Sequence, residues 1–381
     1  MRDPNIPVTS QLLGVATTMK ALLTDRSRSQ EIHDAYVVEL AAGLSKRTGS
    51  NQTTTAVTLL SITLNPTPTL NAGLREARRI LVQQLDTLHP FTQEWVVRQT
   101  WDELRDPELI PVYKKMLTTT GIAAKSVREG TLTRLLEMAP ADARAAVIAE
   151  IRDPESLVDP KILGALEDKF LPEVDESLLD QVRRSASSTD NRARLYLKFK
   201  AELLARFATE SIYQDVIELY RSVGNKLQPD SRAGFLAYLA KHNDREALPL
   251  IEEAVAAYKP GDSPWILNDI TNLYYSEAID ALLKKILETD DASQASHVAY
   301  LLGKHGAAGD ERVLTARLKR WREDWRDRVA EADAQSQGQI ERELIWALLN
   351  GKSWKFPPER VDELKKSCIT QMCKQTNLVS Q

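Results

Sequence analysis

The chain has 381 residues, 43% hydrophobic and 27% charged, with a formal net charge of −4. Lys and Arg number 13 against 12 Asp and Glu through Thr120, and 37 against 42 beyond it, so there is no basic half and nucleic acid is disfavoured as a partner. No run of about 18 or more apolar residues occurs, which excludes membrane insertion by a spanning helix.

In chain order, the start "MRDPNIPVTSQLLG" lacks an apolar stretch behind a basic one and is not a signal peptide. A cytoplasmic location is expected if this is the native start, and an exported one if the chain is a trimmed mature form. Segments near Ser10 to Thr24, Ser29 to Lys46 and Asn71 to Leu88 are predicted to be helical. Between them, "TTTAVTLLSITLNPTPTL" from Thr53 is rich in β-branched residues, but a lone strand has no partner. Its first part is assigned to a weak helix and "NPTPT" to a loop.

From Asp106 onward a helical phrase recurs. It reads "PELIPVYKKML", "QDVIELYRSV", "REALPLIEEAV", "SEAIDALLKKIL" and "ERVLTARLKRW", with first apolar positions at Leu109, Val216, Ala247, Ala278 and Val313. Weaker copies lie near Ala145 and Leu178. The clearest copies are about 31 to 35 residues apart, a period that points to stacked helix pairs. Leu109, Val216, Leu248, Ile279 and Leu314 are expected in the core. Asp106-Pro107 is an N-cap with Pro at the first helical position. "KPGDSPW" is a turn, and Gly303 and Gly306 are candidates for left-handed helix ends. After Val329, "EADAQSQGQ" is polar and is assigned to a loop or frayed end. "IERELIWALLNG" and "PERVDELKKSC" then form a closing pair.

Two of these units share an apolar helix, a Lys-His turn and an acid-capped helix: "LAYLAKHNDREALPLIEEAV" and "HVAYLLGKHGAAGDERVL". The first resembles the HEAT-like repeats, including the short form found in phycobilisome lyases. The resemblance covers roughly Asp106 to Leu318. It implies an all-α fold, an α-solenoid of antiparallel helix pairs stacked into a right-handed superhelix. The organisation expected is an atypical N-terminal helical cap over 1–105, the HEAT-like array over 106–330, and a polar loop, capping helix pair and tail over 331–381. Lyase activity does not carry over, because no residue matches a chromophore site. The fold leaves function open.

Two aromatic groups are candidate partner-binding residues. Trp265, Tyr274 and Tyr275 flank a short helix with Asn268, Asp269 and Asn272, a mix of contact area and orienting amides that suits a ligand groove. The plainer reading is packing at an inter-repeat turn. Trp321 and Trp325 lie on an Arg-rich helix that would suit an acidic or stacking partner. They share the apolar stripe of Leu314 and Leu318, which favours core packing.

Cys368 and Cys373 form a disulfide only if the last helix ends between them, since five helical residues place their Cα atoms roughly 8 Å apart. Two inert thiols and one short-loop bridge are equally compatible with the sequence. No zinc-protease, serine-hydrolase or P-loop motif occurs, so no catalytic residue, metal or cofactor is assigned. The function expected is a non-enzymatic scaffold binding a protein or peptide along the inner surface of the solenoid. The alternatives are an enzyme on the same scaffold, such as an alkylpurine DNA glycosylase using Trp95, Trp101 and Asp102, or a structural subunit of a larger assembly.

Overall fold

Helix caps and apolar stripes organise the chain from its first described segment to its last. The computed structural model describes residues 30–47, 49–63, 72–119, 124–156, 158–167, 169–188, 190–259, 261–262 and 264–375. Among them every regular element is a helix and no strand occurs. The segment read as helical near Ser10 to Thr24 and the "NPTPT" loop lie outside these residues. No helix among the described residues is long and apolar enough to cross a membrane. The chain divides into two compact units, Met1–Asp168 and Lys169–Gln381, a boundary inside the stretch assigned to the array.

In the first unit the helices are α1 (Gln30–Ala42), α2 (Gly49–Thr63), α3 (Ala72–Gln83), α4 (Pro90–Val97), α5 (Ile110–Met116), α6 (Ala124–Met138), α7 (Pro140–Arg152) and α8 (Pro160–Leu163). The β-branched stretch is therefore α2, whose inward threonines return their hydroxyls to the preceding turn: Thr58 donates to Thr54 O and Thr63 to Leu60 O. Each helix packs mainly on its neighbours in the chain: α1 on α2 and α3, α4 on α6, and α6 on α5 and α7. Asp106 caps its helix as its sequence indicates, accepting from Glu108 N at 2.9 Å, but the first turn is a 3₁₀ turn before α5.

The second unit contains α9 (Asp175–Ser187), α10 (Asn191–Phe207), α11 (Tyr213–Val223), α12 (Pro229–Ala256), α13 (Trp265–Leu273), α14 (Glu277–Leu287), α15 (Ala292–His305), α16 (Asp310–Trp325), α17 (Val329–Ala334), α18 (Gly338–Asn350), α19 (Pro358–Lys366) and α20 (Gln371–Gln375). α12 is two helices that meet at Asn243, whose φ of −156° and ψ of 85° break the spiral. The half before Asn243 is α12a and the half after it α12b. One row of contacts runs through α10, α12, α13, α15 and α18. A second involves α9, α11, α12 and α14, and pairs such as α9 with α10 and α14 with α15 join the rows. Within the first row, α13 and α15 run the same way, since Trp265 meets His297 near one end and Asn272 meets Lys304 near the other.

A recurring device ties successive helices together. The last carbonyls of a helix have no partner within it and carry the negative end of its dipole. Here a later cation supplies the missing donors. Arg78 donates to Thr63 O behind α2, and Arg134 to Val97 O and Gln99 O behind α4. Lys241 donates to Ala205 O and Arg206 O at the end of α10, and Arg317 to Leu287 O and Thr289 O behind α14. Burial beside α10 pulls the Lys241 ammonium down to about 8, with Lys169 and Arg206 adding to the shift.

Several expectations need correction. Leu109, Val216, Ile279 and Leu314 are buried, but Leu248 is only half-buried; Ala247 and Ile251 take the inward positions of α12b. Gly303 does not end a helix. It lies inside α15, where a Cβ would come within 2.7 Å of Ala347 Cα on α18, so only glycine allows that approach. Gly306 has an ordinary φ of −58°, and the left-handed residue is Gly309 at 106°. The polar segment from Glu331 continues α17, which buries Ala332, and only Gln335 to Gln337 form a turn.

Candidate functional site

Helical spacing places Trp265, Asn268, Asp269 and Asn272 on one side of α13. The same rule places His297, Tyr300 and Lys304 on one side of α15. These two stripes meet. The Trp265 ring is 62% exposed and stands edge-on to the His297 imidazole, with centroids 4.8 Å apart. Seven residues along, Lys304 Nζ donates to Asn272 Oδ1 at 2.6 Å, and it stands 6.0 Å from the centroid of the Tyr300 ring. Tyr300 packs against Trp346 of α18 with centroids 4.9 Å apart. The result is a half-exposed strip of three aromatic rings on α13, α15 and α18, interleaved with an amide and an ammonium group.

The electrostatics under the strip are those of desolvation. His297 is buried, its Nε2 has no hydrogen-bond partner, and burial pulls the imidazole down to about 4. It is therefore neutral near pH 7 and presents an uncharged ring to the indole. Burial raises the Asp269 carboxyl, which accepts from Asn268 Nδ2 at 3.2 Å. Burial also raises Glu343 on α18, against the opposing pull of its ion pair with Arg342. Such a strip combines rigid apolar area with a few polar groups that fix orientation, which is the chemistry of recognition.

The sequence candidates are dispersed. Trp265 belongs to the strip. Tyr274 and Tyr275 follow α13 and are committed internally: Tyr275 donates to Asp280 and stacks on His305 at 5.4 Å, while Tyr274 interacts with Asp244 and Ser276. Trp321 is in the core at 1% exposure. Trp325 is half-buried, with the Arg328 guanidinium 4.4 Å from its ring centroid. Tyr300, Lys304 and Trp346 were not singled out from the sequence. Their signal was present in the Tyr300 and Lys304 spacing and in the aromatic at Trp346, but no single helix shows that they converge.

In the first unit, a groove of about 360 Å³ is lined by Val82, Leu109, Val112 and by charged groups of both signs, among them Arg79, Glu103 and Glu108. Of the residues considered for DNA repair, Trp95 lies exposed against Phe91 at 6.2 Å, Trp101 is buried beneath the Arg78 guanidinium at 4.6 Å, and Asp102 is exposed beside Arg105. Among the described residues no three His, Cys, Asp or Glu side chains are grouped to hold a metal ion. Compared with protein-family models, curated proteins and solved structures, the chain has no match in any of the three.

Proposed function

We propose that the second unit is an α-solenoid of HEAT-like pairs and that the chain is a non-enzymatic scaffold binding a protein or peptide. The repeat period and the row of same-direction helices support the architecture. The observation that carries the binding reading is the aromatic strip formed by Trp265, Tyr300 and Trp346. Aromatic bodies held by neighbouring helices offer large contact area at little entropic cost, and Lys304 and Asn272 supply orientation.

Selection of peptides from a displayed random library on the intact protein tests this. Peptides that bind wild type are expected to lose at least tenfold in affinity on Trp265→Ala or Trp346→Ala, while both variants keep the helical circular dichroism of wild type. Selected peptides that bind both variants as tightly as wild type would remove the strip as the site.

A further inference from the structure

The two cysteines are joined across a loop whose amides serve a buried carboxylate. Cys368 and Cys373 form a disulfide with Cα atoms 5.5 Å apart, after α19 has ended and around the start of α20. Inside that ring, Ile369 N and Thr370 N each donate to the carboxylate of Glu341, both at 3.0 Å, and the Thr370 hydroxyl donates to it at 2.8 Å. Glu341 and Thr370 are fully buried. Arg322 of α16 reaches both sides of the joint, donating to Ser367 O and Ser367 Oγ at 2.8 Å and lying 3.4 Å from Glu341.

Glu341 is on α18, the helix that also carries Trp346. A carboxylate taken wholly out of water is tolerated only when its oxygens are well supplied with donors. Here three of the donors lie within the six residues the bridge encloses. A ring this short removes little freedom from the unfolded chain, so the bridge acts chiefly on the local loop. Opening it releases the segment that solvates Glu341 from within, and α18 then carries an undersatisfied buried charge.

We propose that the Cys368–Cys373 bridge is a redox latch that holds α18, and with it the Trp346 end of the aromatic strip, in place. The claim about the strip rests on the binding reading above; the claim about α18 does not. The reductant is a low-molecular-weight thiol. Its thiolate attacks one bridge sulfur and expels the other cysteine as a thiolate, which takes up a proton. A second thiol attacks the mixed disulfide at the external sulfur, returning the remaining cysteine as a thiol. Two thiols are oxidised to one disulfide while one protein disulfide becomes two cysteines. The 7% exposed edge of Cys368 is the side from which attack begins, since Cys373 is fully buried.

The test is hydrogen exchange by mass spectrometry on the full chain, oxidised with diamide or reduced with dithiothreitol, with free thiols counted in each state. The oxidised protein is expected to show none and the reduced protein two. Reduction is expected to speed exchange at least tenfold in peptides spanning 338–350 and 367–374, leaving α10 and α12a unchanged. The double variant Cys368→Ser with Cys373→Ser should exchange like the reduced protein and ignore dithiothreitol. Equal exchange in the two redox states overturns the latch, as do two free thiols persisting after diamide. With exchange responding, a selected peptide that binds both states equally overturns control of the strip and leaves the hold on α18 standing. Absence of any selectable peptide removes the binding reading without touching the exchange result.

Discussion

Gly234 of α12a lies directly against the Ala201 backbone of α10: a Cβ on Gly234 would fall 2.5 Å from the Ala201 carbonyl carbon. The contact is backbone on backbone, so no side chain can swing aside. Gly234→Ala is expected to destabilise the protein by about 1–3 kcal/mol through overpacking, despite the better helix propensity of alanine. Urea denaturation followed by circular dichroism checks it; an unchanged or higher midpoint would show that the helices part without cost.

Arg317→Met removes the donors that serve Leu287 O and Thr289 O while keeping much of the buried stem. A loss of about 2 kcal/mol is expected, the range for hydrogen bonds made by a charged group. Arg317→Lys is expected to recover only part of it, because one ammonium does not reproduce the forked geometry. Chemical denaturation of the three proteins side by side distinguishes these outcomes.

A buried carboxylate pair gives a third expectation. Lys284 Nζ lies 2.5 Å from both Asp280 and Asp310, which are 7% and 2% exposed. Burial raises the Asp310 carboxyl despite its hydrogen bond to Lys284, and Asp280 beside it pushes the same way. Lys284→Met leaves two buried carboxylates facing each other and is expected to cost about 3 kcal/mol at pH 7. Adding Asp310→Asn to that variant should restore a good part of the loss. A double variant no more stable than Lys284→Met would show that the two carboxylates do not act on each other.

The fourth concerns acid. His297 is pulled from 6.5 down to about 4 by burial. Above pH 6.5 it is neutral in both folded and unfolded chains and contributes no pH dependence. As pH falls from 6.5 towards 4, the unfolded chain takes up a proton that the folded one refuses, so stability is lost across that window. The loss from this residue amounts to about 3 kcal/mol by pH 4. His297→Phe should flatten the stability–pH curve by that amount between pH 7 and pH 4, relative to wild type.

Helix positions were largely legible in the sequence because the period of 3.6 residues is written locally. Leu314 and Leu318 are four apart and both are buried. Leu248 shows the limit. The repeat phrase carries an apolar pair, and successive residues differ by about 100° around a helix, so either member can face inward. At Val313-Leu314 it is the second; at Ala247-Leu248 it is the first, because α12b restarts at Asn243 and turns Ala247, Ile251 and Ala254 to the core. The aromatic strip was legible only in part for a different reason. Trp265, Tyr300 and Trp346 come from three helices, and their convergence is a tertiary fact. The same holds for Glu341, whose partners Ile369 and Thr370 lie 28 and 29 residues away.

The break at Asn243 also determines where the chain can change length. α12a and α12b share no linker; a single residue separates two helices that both bury their inner faces. One extra residue there would rotate α12b by about 100° and lift it about 1.5 Å along its axis. Ala247 and Ile251 would leave the core and their exposed neighbours would enter it. The turn from Gly306 to Gly309 has slack that this joint lacks. Length variation between relatives of this chain should therefore collect at that turn and spare the residue 243 junction.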